Sequence, residues 1–403
     1  MRALNRVGAW VACASMCAVN AGAQDLTESQ LVELILRDGA QARVIRAGAE
    51  VVRREQAARA VLSNPSIAYT REGAGYTEFL QVAQFLPIFG SRGALVRAGA
   101  AATLAAEAER DGRLWQLRAD ARALVARLLA EQEKLEASAV TVREVERLIA
   151  LLRIREKEGE GSRFDRVRAE QELAEARQIS LEAAVSATDV RAAIAAVVAD
   201  GTRLTRVTGM LYVDREIPAV ETLSARALTT RGELHALSAA AEQFRLEADA
   251  ARRAQLPAPT IVGGLKRADG AFGRENGGLL GVNVTIPLFD SGRRESARWL
   301  AERDRTEAER ALTTQTIRAQ IAAMSDVLAL RQEAIRTADA SSPAGELTRI
   351  AEISYTEGEA GVLELLDAHR MAARARIRAI DMRLAARLAQ IALERVVGDT
   401  IWP

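Results

Sequence analysis

The chain has 403 residues, of which 27% are charged and only 4% aromatic, and its formal net charge is +1. The balance of 55 basic against 54 acidic residues, with no basic block, argues against a nucleic-acid-binding protein. Aromatic residues are also too few for a stacking platform or for an ordinary compact β core. Alanine, arginine, glutamate and leucine dominate, a composition typical of long helices that pack through small residues.

The first 23 residues have the pattern of a secretory signal peptide. Arg2 and Arg6 precede a short apolar run over residues 7–19, and a small-residue Ala-Gly-Ala sequence ends the segment. Such a run is too short to span a membrane, so we expect cleavage before Gln24 and export from the cytoplasm. A buried N-terminal helix is the alternative interpretation of the same residues.

Both cysteines of the chain, Cys13 and Cys17, lie inside this first segment. The exported chain is therefore expected to contain no disulfide, no catalytic thiolate and no cysteine metal site. Neither cysteine follows the sequence pattern of a lipoprotein site, so we expect no lipid anchor. No later run of about 18 apolar residues predicts a transmembrane helix.

The remainder of the chain is predicted to be a tandem duplication with a unit of about 200 residues. A Pro-x-Phe-x-Ser sequence occurs at 87–91 and again at 287–291, and Glu-Gly-Glu occurs at 158–160 and again at 357–359. A looser pair, Asn-Pro-Ser-Ile and Ala-Pro-Thr-Ile, precedes them in the same order. Chance similarity between helices rich in alanine and arginine is the alternative. The expected organisation is a signal peptide, a first repeat, an inter-repeat (equatorial) segment, a second repeat and a C-terminal tail, at residues 1–23, 24–199, 200–219, 220–397 and 398–403.

Each repeat is predicted to contain the same elements in the same order: a helix, two strands, a very long helix, a glycine-containing turn and a return helix. The long helix of the first repeat, residues 91–157, would span roughly 100 Å at about 1.5 Å per residue, which requires coiled-coil-like packing along its length. In the second repeat, Pro343 is expected to interrupt the long helix because proline removes a backbone donor. The predicted bounds are 26–61, 64–87, 91–157 and 162–198 in the first repeat, and 220–255, 258–287, 291–356 and 361–397 in the second.

The return helix of the second repeat carries one apolar seam on a surface rich in arginine and glutamate. We interpret His369 as a packing residue of this seam. The segment that joins the two repeats, with its Gly, Thr, Tyr and Pro residues, is predicted to be irregular. The members of the seam are Val362, Leu366, His369, Ala373, Ile380, Leu384, Leu388 and Ile391.

The residues before the second long helix alternate as a strand between lipid and water does. Over residues 278–286, Leu280, Val282 and Val284 point to one side, and glycine or polar residues point to the other. The segment is also about as long as a tilted strand that crosses a bilayer. The alternative is a half-buried sheet of a soluble protein.

Closure of the sheet decides between these two interpretations. An open sheet edge cannot face lipid, and known membrane barrels start at about eight strands, so the four strands predicted here are too few for one chain. Several copies must therefore pool their strands. The sequence predicts an oligomeric channel that continues as a helical tube.

These features resemble the TolC family of outer-membrane efflux proteins over about residues 25–397. The resemblance is carried by the Pro-x-Phe-x-Ser turns and by Tyr355-Thr-Glu-Gly358, which is followed by Leu363-Glu-Leu-Leu-Asp367. It implies a mainly α fold with a small β part: a trimer with a long antiparallel α-helical barrel in the periplasm and a twelve-stranded outer-membrane β-barrel, four strands per protomer.

Proteins of this family are passive exit ducts of tripartite efflux pumps. The resemblance therefore implies a homotrimer in contact with outer-membrane lipid, a periplasmic adaptor (a membrane fusion protein) and an inner-membrane RND-type transporter. The sequence over residues 86–92 is similar to the heavy-metal branch of the family.

The resemblance also implies a periplasmic gate made from four residues. Glu364 and Asp367 share a helix face at i and i+3, and they correspond to carboxylates that ring the tunnel entrance, where they would favour cations. Asp165 and Tyr355 correspond to a hydrogen-bonded pair that helps to hold the closed state. Helix capping is the alternative role for these carboxylates. A basic residue that is frequent in the gate of the family is replaced here by Ala360.

The two glycine-containing turns resemble the adaptor-docking turns of the family. Glycine permits both a tight reversal and the close approach of a partner helix tip. The alternative is an acidic turn that contacts only solvent. The implied docking residues are Gly159, Glu160, Gly161, Gly358, Glu359 and Gly361.

No motif in the sequence indicates an enzyme. His235 and His369 are isolated, so we expect no catalytic residue, no cofactor and no metal site. The main functional prediction is an efflux duct in the outer membrane that extends into the periplasm. A periplasmic coiled-coil scaffold or adaptor without a pore is the alternative of a different class, and a duct for drug efflux or for type I protein secretion differs only in cargo.

Overall fold

The computed structural model describes residues 24–59, 61–73, 76–198, 204–270, 272–286, 292–340 and 344–402. The helices of these ranges are α1 (Glu28–Asp38), α2 (Ala40–Arg59), α3 (Ser91–Glu158), α4 (Arg163–Val197), α5 (Val220–Thr230), α6 (Gly232–Arg253), α7 (Arg293–Ala340), α8 (Ala344–Glu357) and α9 (Val362–Val397). The strands are β1 (Gln24–Thr27), β2 (Ser66–Glu72), β3 (Thr77–Phe85), β4 (Leu204–Thr208), β5 (Pro259–Gly270) and β6 (Gly273–Val284). The predicted signal peptide, the second Pro-x-Phe-x-Ser turn at 287–291 and Pro343 lie outside the described residues.

The fold is mainly α with a small β part, as predicted, and the two halves of the chain repeat one order of elements. A pair of shorter helices (α1–α2 and α5–α6) leads to a pair of strands (β2–β3 and β5–β6). A long helical stretch follows (α3, and α7 with α8), and a single helix returns (α4 and α9). The same order of elements therefore occurs once in each half of the described chain.

The single opening helix predicted for each half is wrong, because the structure divides both. At Gly39 the backbone is extended (φ −61°, ψ 145°), and a Cβ there would lie 2.3 Å from the carbonyl oxygen of Ile35 and 2.7 Å from that of Val197. In the second half the extended residue is Arg231, and a Cβ on Gly232 would lie 2.5 Å from the carbonyl oxygen of Ala108. Each division therefore falls where the chain passes very close to another helix.

Helix α3 is a single helix of 68 residues, as the sequence predicted to within one residue. Near its start, Ala98 and Ala101 form a small cluster with Leu246 of α6. Its middle belongs to a cluster that includes α1 and α9, and its last turns belong to another that includes α8 and α9. Because the middle of α3 is buried over most of its circumference, no single amphipathic stripe marks the helix in the sequence. Small residues predominate among its buried positions: Ala94, Ala98, Gly99, Ala101, Ala102, Ala119, Ala121, Ala126, Ala130 and Ser138.

The predicted seam of α9 is buried or half-buried throughout the structure. Val362, Leu366 and His369 lie in or beside the cluster at the tip of the helices, and Ile380 and Ile391 lie in the central cluster. The buried surface of α9 is wider than the predicted stripe, because Leu365, Ala368, Ala372 and Leu393 are buried as well.

Strands β2, β3, β5 and β6 form one four-stranded sheet in that order, and all neighbours are antiparallel. Each half of the chain contributes one hairpin, and the two hairpins join where β3 pairs with β5, with Leu80 opposite Leu265. Strands β2 and β6 are the edges of the sheet, and each has one neighbour among the described strands. The edges are thus free to pair with further strands.

The segment between the halves is less irregular than predicted. Residues Leu204–Thr208 form β4, which pairs in parallel with β1 at the start of the described chain, and Val207 of β4 is buried. The residues after α9 are also fixed: Trp402 Nε1 donates to the carbonyl oxygen of Glu216 at 3.0 Å, and the backbone N–H of Trp402 donates to Glu394 Oε1 at 3.2 Å. Both ends of the described chain therefore contact the segment between the two halves, β1 through β4 and Trp402 through Glu216.

Candidate functional site

One face of the four-stranded sheet is apolar and exposed. The strand register places Ile67 opposite Val82 and Ile261 opposite Val282, so these side chains project from the same side. Leu280, on the same side, is 82% exposed in the single chain. The alternation predicted for β6 is confirmed and extends to all four strands. The apolar members of this face, here called the apolar face, are Ile67, Tyr69, Leu80, Val82, Ile261, Leu265, Leu280, Val282 and Val284.

The opposite face of the sheet carries mostly small and polar residues in its middle, together with Val262 and Leu279. Gln81 lies opposite Ala68 on β2 and opposite Gly264 on β5, and Asn283 of β6 lies opposite Thr260 of β5. A sheet whose one side is apolar and exposed and whose other side is mostly small and polar is the wall expected between lipid and a water-filled lumen.

At the other end of the molecule, two reversing turns use the same hydrogen bonds. After Gly159, the next two backbone N–H groups donate to the carbonyl oxygen of Arg155 at 3.0 and 3.1 Å. After Gly358, the next two donate to the carbonyl oxygen of Ser354 at 2.8 and 3.1 Å. Both glycines have a left-handed backbone conformation, with φ values of +80° and +79°. The two turns are structural equivalents, which is the relation that the repeated Glu-Gly-Glu sequence predicted.

The predicted docking residues lie at the tip formed by these turns. Gly161 is half-buried, and a Cβ there would lie 3.1 Å from the Cβ of Arg155, so the turn closes tightly against α3. Among the predicted docking residues, those with exposed positions are Gly159, Glu160, Gly358, Glu359 and Gly361.

The tip is held together by a residue that the sequence did not single out. The guanidinium of Arg155, in the last turn of α3, lies 4.7 Å from the ring centroid of Tyr355. Its Nη1 and Nη2 donate to the carbonyl oxygens of Tyr355 and Thr356, each at 3.3 Å. These carbonyls belong to the last turn of α8, where a cation is favoured by the helix dipole. A basic residue four positions before a C-capping glycine was the available signal for this role.

The predicted Asp165–Tyr355 hydrogen bond is not among the contacts of the described residues. Tyr355 is buried at 6% exposure and has Arg155 over its ring, whereas Asp165 is half-buried in the first turn of α4. The Oγ of Ser162 caps α4 by accepting from the N–H of Phe164 at 3.1 Å. Asp165 therefore sits where a carboxylate favours a helix N-terminus, and its pairing with Tyr355 stays a prediction.

The two predicted gate carboxylates share the exposed side of α9. Glu364 and Asp367 are exposed, while Leu365, Leu366 and Ala368 between and beside them are buried against α3 and α8. The buried neighbours fix the rotation of the helix, so both carboxylates project away from the core of this chain.

Ion pairs join α3 to α4 just above the first turn. Arg166 Nε donates to Glu156 Oε2 at 2.6 Å, and its Nη1 donates to Glu170 Oε1 at 2.8 Å. Hydrogen bonds from Arg153 and Arg166 lower the pKa of Glu170 below its ordinary value. Glu170 therefore stays ionised at neutral pH and keeps this pairing.

The isolated histidines do not form a metal centre in the described part of the chain. His369 is buried, with its Nε2 3.5 Å from Glu352 Oε1, and the Nε2 of His235 lies 2.9 Å from the carbonyl oxygen of Thr229. No group of three or more histidine, cysteine or acidic side chains in the described residues is placed to hold a metal ion. Among the same residues, no helix is both long enough and apolar enough to cross a membrane.

The fold, the four-stranded sheet at one end of the molecule and the two glycine turns at the other together define a class of protein. A sheet with an exposed apolar face continues directly into long paired helices that end in two equivalent glycine turns, and this is the protomer architecture of outer-membrane efflux channels of the TolC type.

Comparison with known proteins leads to the same class. The sequence model of the family described as outer membrane efflux protein matches residues 223–399. This match to the second half of the chain supports the resemblance to the TolC family. No curated protein matches the sequence with a significant score.

Solved structures share the fold over nearly the whole chain. CusC superposes with a TM-score of 0.75 at 17% identity and covers 93% of this chain and 92% of its own. CmeC of Campylobacter jejuni gives 0.75 at 13% identity, covering 93% and 87%. VceC of Vibrio cholerae gives 0.74 at 18% identity, covering 93% and 97%. CmeC is described as an outer membrane channel and VceC as an outer membrane protein.

Proposed function

We propose that the chain is the outer-membrane exit duct of a tripartite efflux pump and that it conducts its cargo passively. The observation that carries this proposal is the continuous path from a sheet with an exposed apolar face to a tip of two equivalent turns. The alternative, a scaffold or adaptor without a pore, would leave the exposed Leu280, Val282 and Val284 without a function.

The channel is proposed to be a homotrimer. Each chain supplies four antiparallel strands with two free edges, β2 and β6. These edges run in opposite directions, so β6 of one copy can pair antiparallel with β2 of the next copy. Three copies would close a twelve-stranded barrel and remove every edge that would otherwise face lipid.

Glu364 and Asp367 are proposed to form a cation-favouring ring at the periplasmic entrance. Three copies of two exposed carboxylates in a constriction would concentrate negative charge there. Asp165 and Tyr355 are proposed to pair in the closed state of the trimer, with Arg155 as the basic residue beside them.

Single-channel recording in planar bilayers tests the duct and the ring together. We expect the purified trimer to form cation-selective channels and the Glu364→Gln/Asp367→Asn variant to lose most of that selectivity. Asp381→Asn is the matched control, because Asp381 is also exposed on α9 but lies about four turns away and pairs with Lys134. Unchanged selectivity in the double variant would contradict the ring, and the absence of channels from the wild-type protein would contradict the duct.

The exposed tip turns are proposed to dock a periplasmic adaptor whose inner-membrane partner is an RND-type transporter. Both cysteines of the sequence lie in residues 1–23, so single cysteines introduced at Glu160 or Glu359 would be the only thiols of the processed chain. We expect crosslinks from both positions to the adaptor in intact cells. A cysteine at the exposed Ala47 of α2 is the control, and equal crosslinking from that site would contradict docking at the tip.

The cargo is proposed to be chosen by the transporter and not by this chain. The sequence over residues 86–92, which is similar to the heavy-metal branch of the family, makes heavy-metal cations the first cargo to test. Drug efflux and type I protein secretion are the alternatives. Deletion of the chain should sensitise cells to metal salts under the first hypothesis and to drugs under the second.

A further inference from the structure

A row of charged and polar side chains crosses the sheet at the end farthest from the helices. Arg71, Glu78, Arg267 and Asn276 are consecutive partners in the register of the four strands. They are also in phase with the apolar face, because each lies two residues along its strand from a member of that face or from Gly278, which is opposite Leu265. We call these four residues the polar row.

The position of the polar row along the strands matches the edge of a membrane. Ile286, the last apolar residue described, lies ten positions after Asn276 and two positions beyond the end of β6. Ten positions are roughly 33 Å along a strand at about 3.3 Å per residue, or about 25 Å along the membrane normal for a strand tilted by about 40°. The hydrocarbon-facing band of such barrels is about 25 Å tall, so the polar row lies at its outer boundary.

Two arginines at this level share one aromatic ring. The guanidinium carbons of Arg71 and Arg274 lie 4.5 and 4.6 Å from the ring centroid of Tyr76. Within the described residues, no carboxylate lies at ion-pair distance from Arg71, and Arg274 reaches Asp269 only at 3.6 Å. The ring thus holds two cations near each other while leaving most of their N–H groups available to another acceptor.

Glu78, the carboxylate of the polar row, already accepts hydrogen bonds from two neutral hydroxyl groups. The hydroxyls of Tyr69 and Tyr76 donate to Glu78 Oε1 at 2.9 and 2.7 Å, and Arg267 Nη1 is 3.9 Å from Glu78 Oε2. Arg267 remains 52% exposed. On this face of the sheet the three arginines therefore exceed the two carboxylates, Glu78 and Asp269, in charge, and the contacts between them are loose.

We propose that Arg71, Arg267 and Arg274 bind the phosphate groups of outer-leaflet lipid, with Tyr76 holding two of the three guanidinium groups in place. The proposal rests on the proposed function, since it requires the apolar face to be embedded in the outer membrane. Guanidinium groups bind phosphate through paired N–H donors. A basic cluster beside a lipid-facing surface lies next to the lipid headgroups, so their phosphates are its nearest anions. The barrel is thereby fixed in depth by specific contacts with headgroups.

Binding of lipid A to the purified trimer tests this inference. The probes are diphosphoryl lipid A, the same lipid after removal of its phosphates, and inorganic phosphate. Retained lipid is counted by native mass spectrometry. We expect the wild-type trimer to retain the diphosphoryl lipid, and Arg71→Gln/Arg274→Gln to bind it about 25-fold more weakly, at about fivefold per arginine. Lys266→Gln is the matched control, because Lys266 adjoins Arg267 but projects from the opposite face of the sheet.

The outcomes separate the inference from the function on which it rests. Equal binding by the double variant, equal loss in Lys266→Gln, or equal retention of the dephosphorylated lipid would each overturn the phosphate contact. Displacement of the lipid by inorganic phosphate would overturn the assignment to a lipid headgroup, because the site would then bind free phosphate equally well. If the double variant does not assemble, Arg274→Gln alone is expected to show the fivefold loss. A chain that is absent from the outer membrane would overturn the proposed function itself, and this inference with it.

Discussion

Arg155 connects the two halves of the chain through one side chain. It belongs to α3, yet its hydrogen-bond acceptors and the ring beneath it belong to α8. The equivalent residue in the second turn is Ser354, which has no guanidinium with which to return the contact. The backbone of the tip is thus repeated, while the side-chain link across it is made once per chain.

Loss of this link is expected to loosen the end of α8. Arg155→Gln removes the contact with the ring and the charge-assisted hydrogen bonds, which together stabilise the tip by about 1–2 kcal/mol. Hydrogen exchange of the backbone amides of Glu359 and Ala360, which donate to Ser354, should become roughly tenfold faster. Arg153→Gln is the control, because Arg153 is exposed and pairs with Glu170 of α4 instead of with α8. Equal protection in both variants would show that Arg155 does not hold the tip.

At the scale of elements, the divided opening helices place glycine where helices approach most closely. Gly232 lies against α3, where a Cβ would be 2.5 Å from the carbonyl oxygen of Ala108 and 2.9 Å from the N–H nitrogen of Gly112. Backbone atoms cannot move aside as a flexible side chain can. The approach of α6 to α3 therefore depends on the absence of a side chain at this position.

Gly232→Ala is accordingly expected to destabilise the fold by about 1–3 kcal/mol, since the added methyl group overpacks a backbone contact. Gly48→Ala is the matched control: it lies in the exposed part of α2, and a Cβ added there would have no neighbouring atom within 4 Å. Alanine there should stabilise the helix by about 0.5–1 kcal/mol. Thermal unfolding followed by circular dichroism should therefore shift in opposite directions for the two variants, and a shift in the same direction would contradict this account.

At the scale of the whole molecule, the apolar face of the sheet decides where the protein resides. Leu280→Arg places a charge in the middle of that face and is expected to cost about 2–4 kcal/mol in the membrane-embedded state. Asn283→Arg is the control on the same strand, because Asn283 projects from the polar face. The amount of trimer in outer-membrane fractions should fall for the first variant and remain near the wild-type level for the second. Equal amounts would mean that the apolar face does not contact lipid.

The sequence was sufficient for features in which one local pattern has one structural meaning. Alternation over residues 278–286 predicted the two faces of β6, and the repeated Glu-Gly-Glu predicted the two equivalent turns. It was not sufficient where distant segments meet. The division at Gly39 depends on Val197, which lies far along the chain, and the contact between Arg155 and Tyr355 depends on how two hairpins pack. Neither of these two long-range contacts produces a periodic pattern in the sequence.

The asymmetry between the two turns has a consequence for any ring of protomers. In a trimer, six turns with nearly the same backbone would alternate between two chemical kinds, one with Arg155 and one with Ser354 at its carbonyl acceptor. A partner with six equal subunits would therefore meet six docking sites of the same backbone shape but of two different side-chain compositions. A substitution in one half of the gene would alter every second site, which lets the two halves diverge in affinity without any change in their geometry.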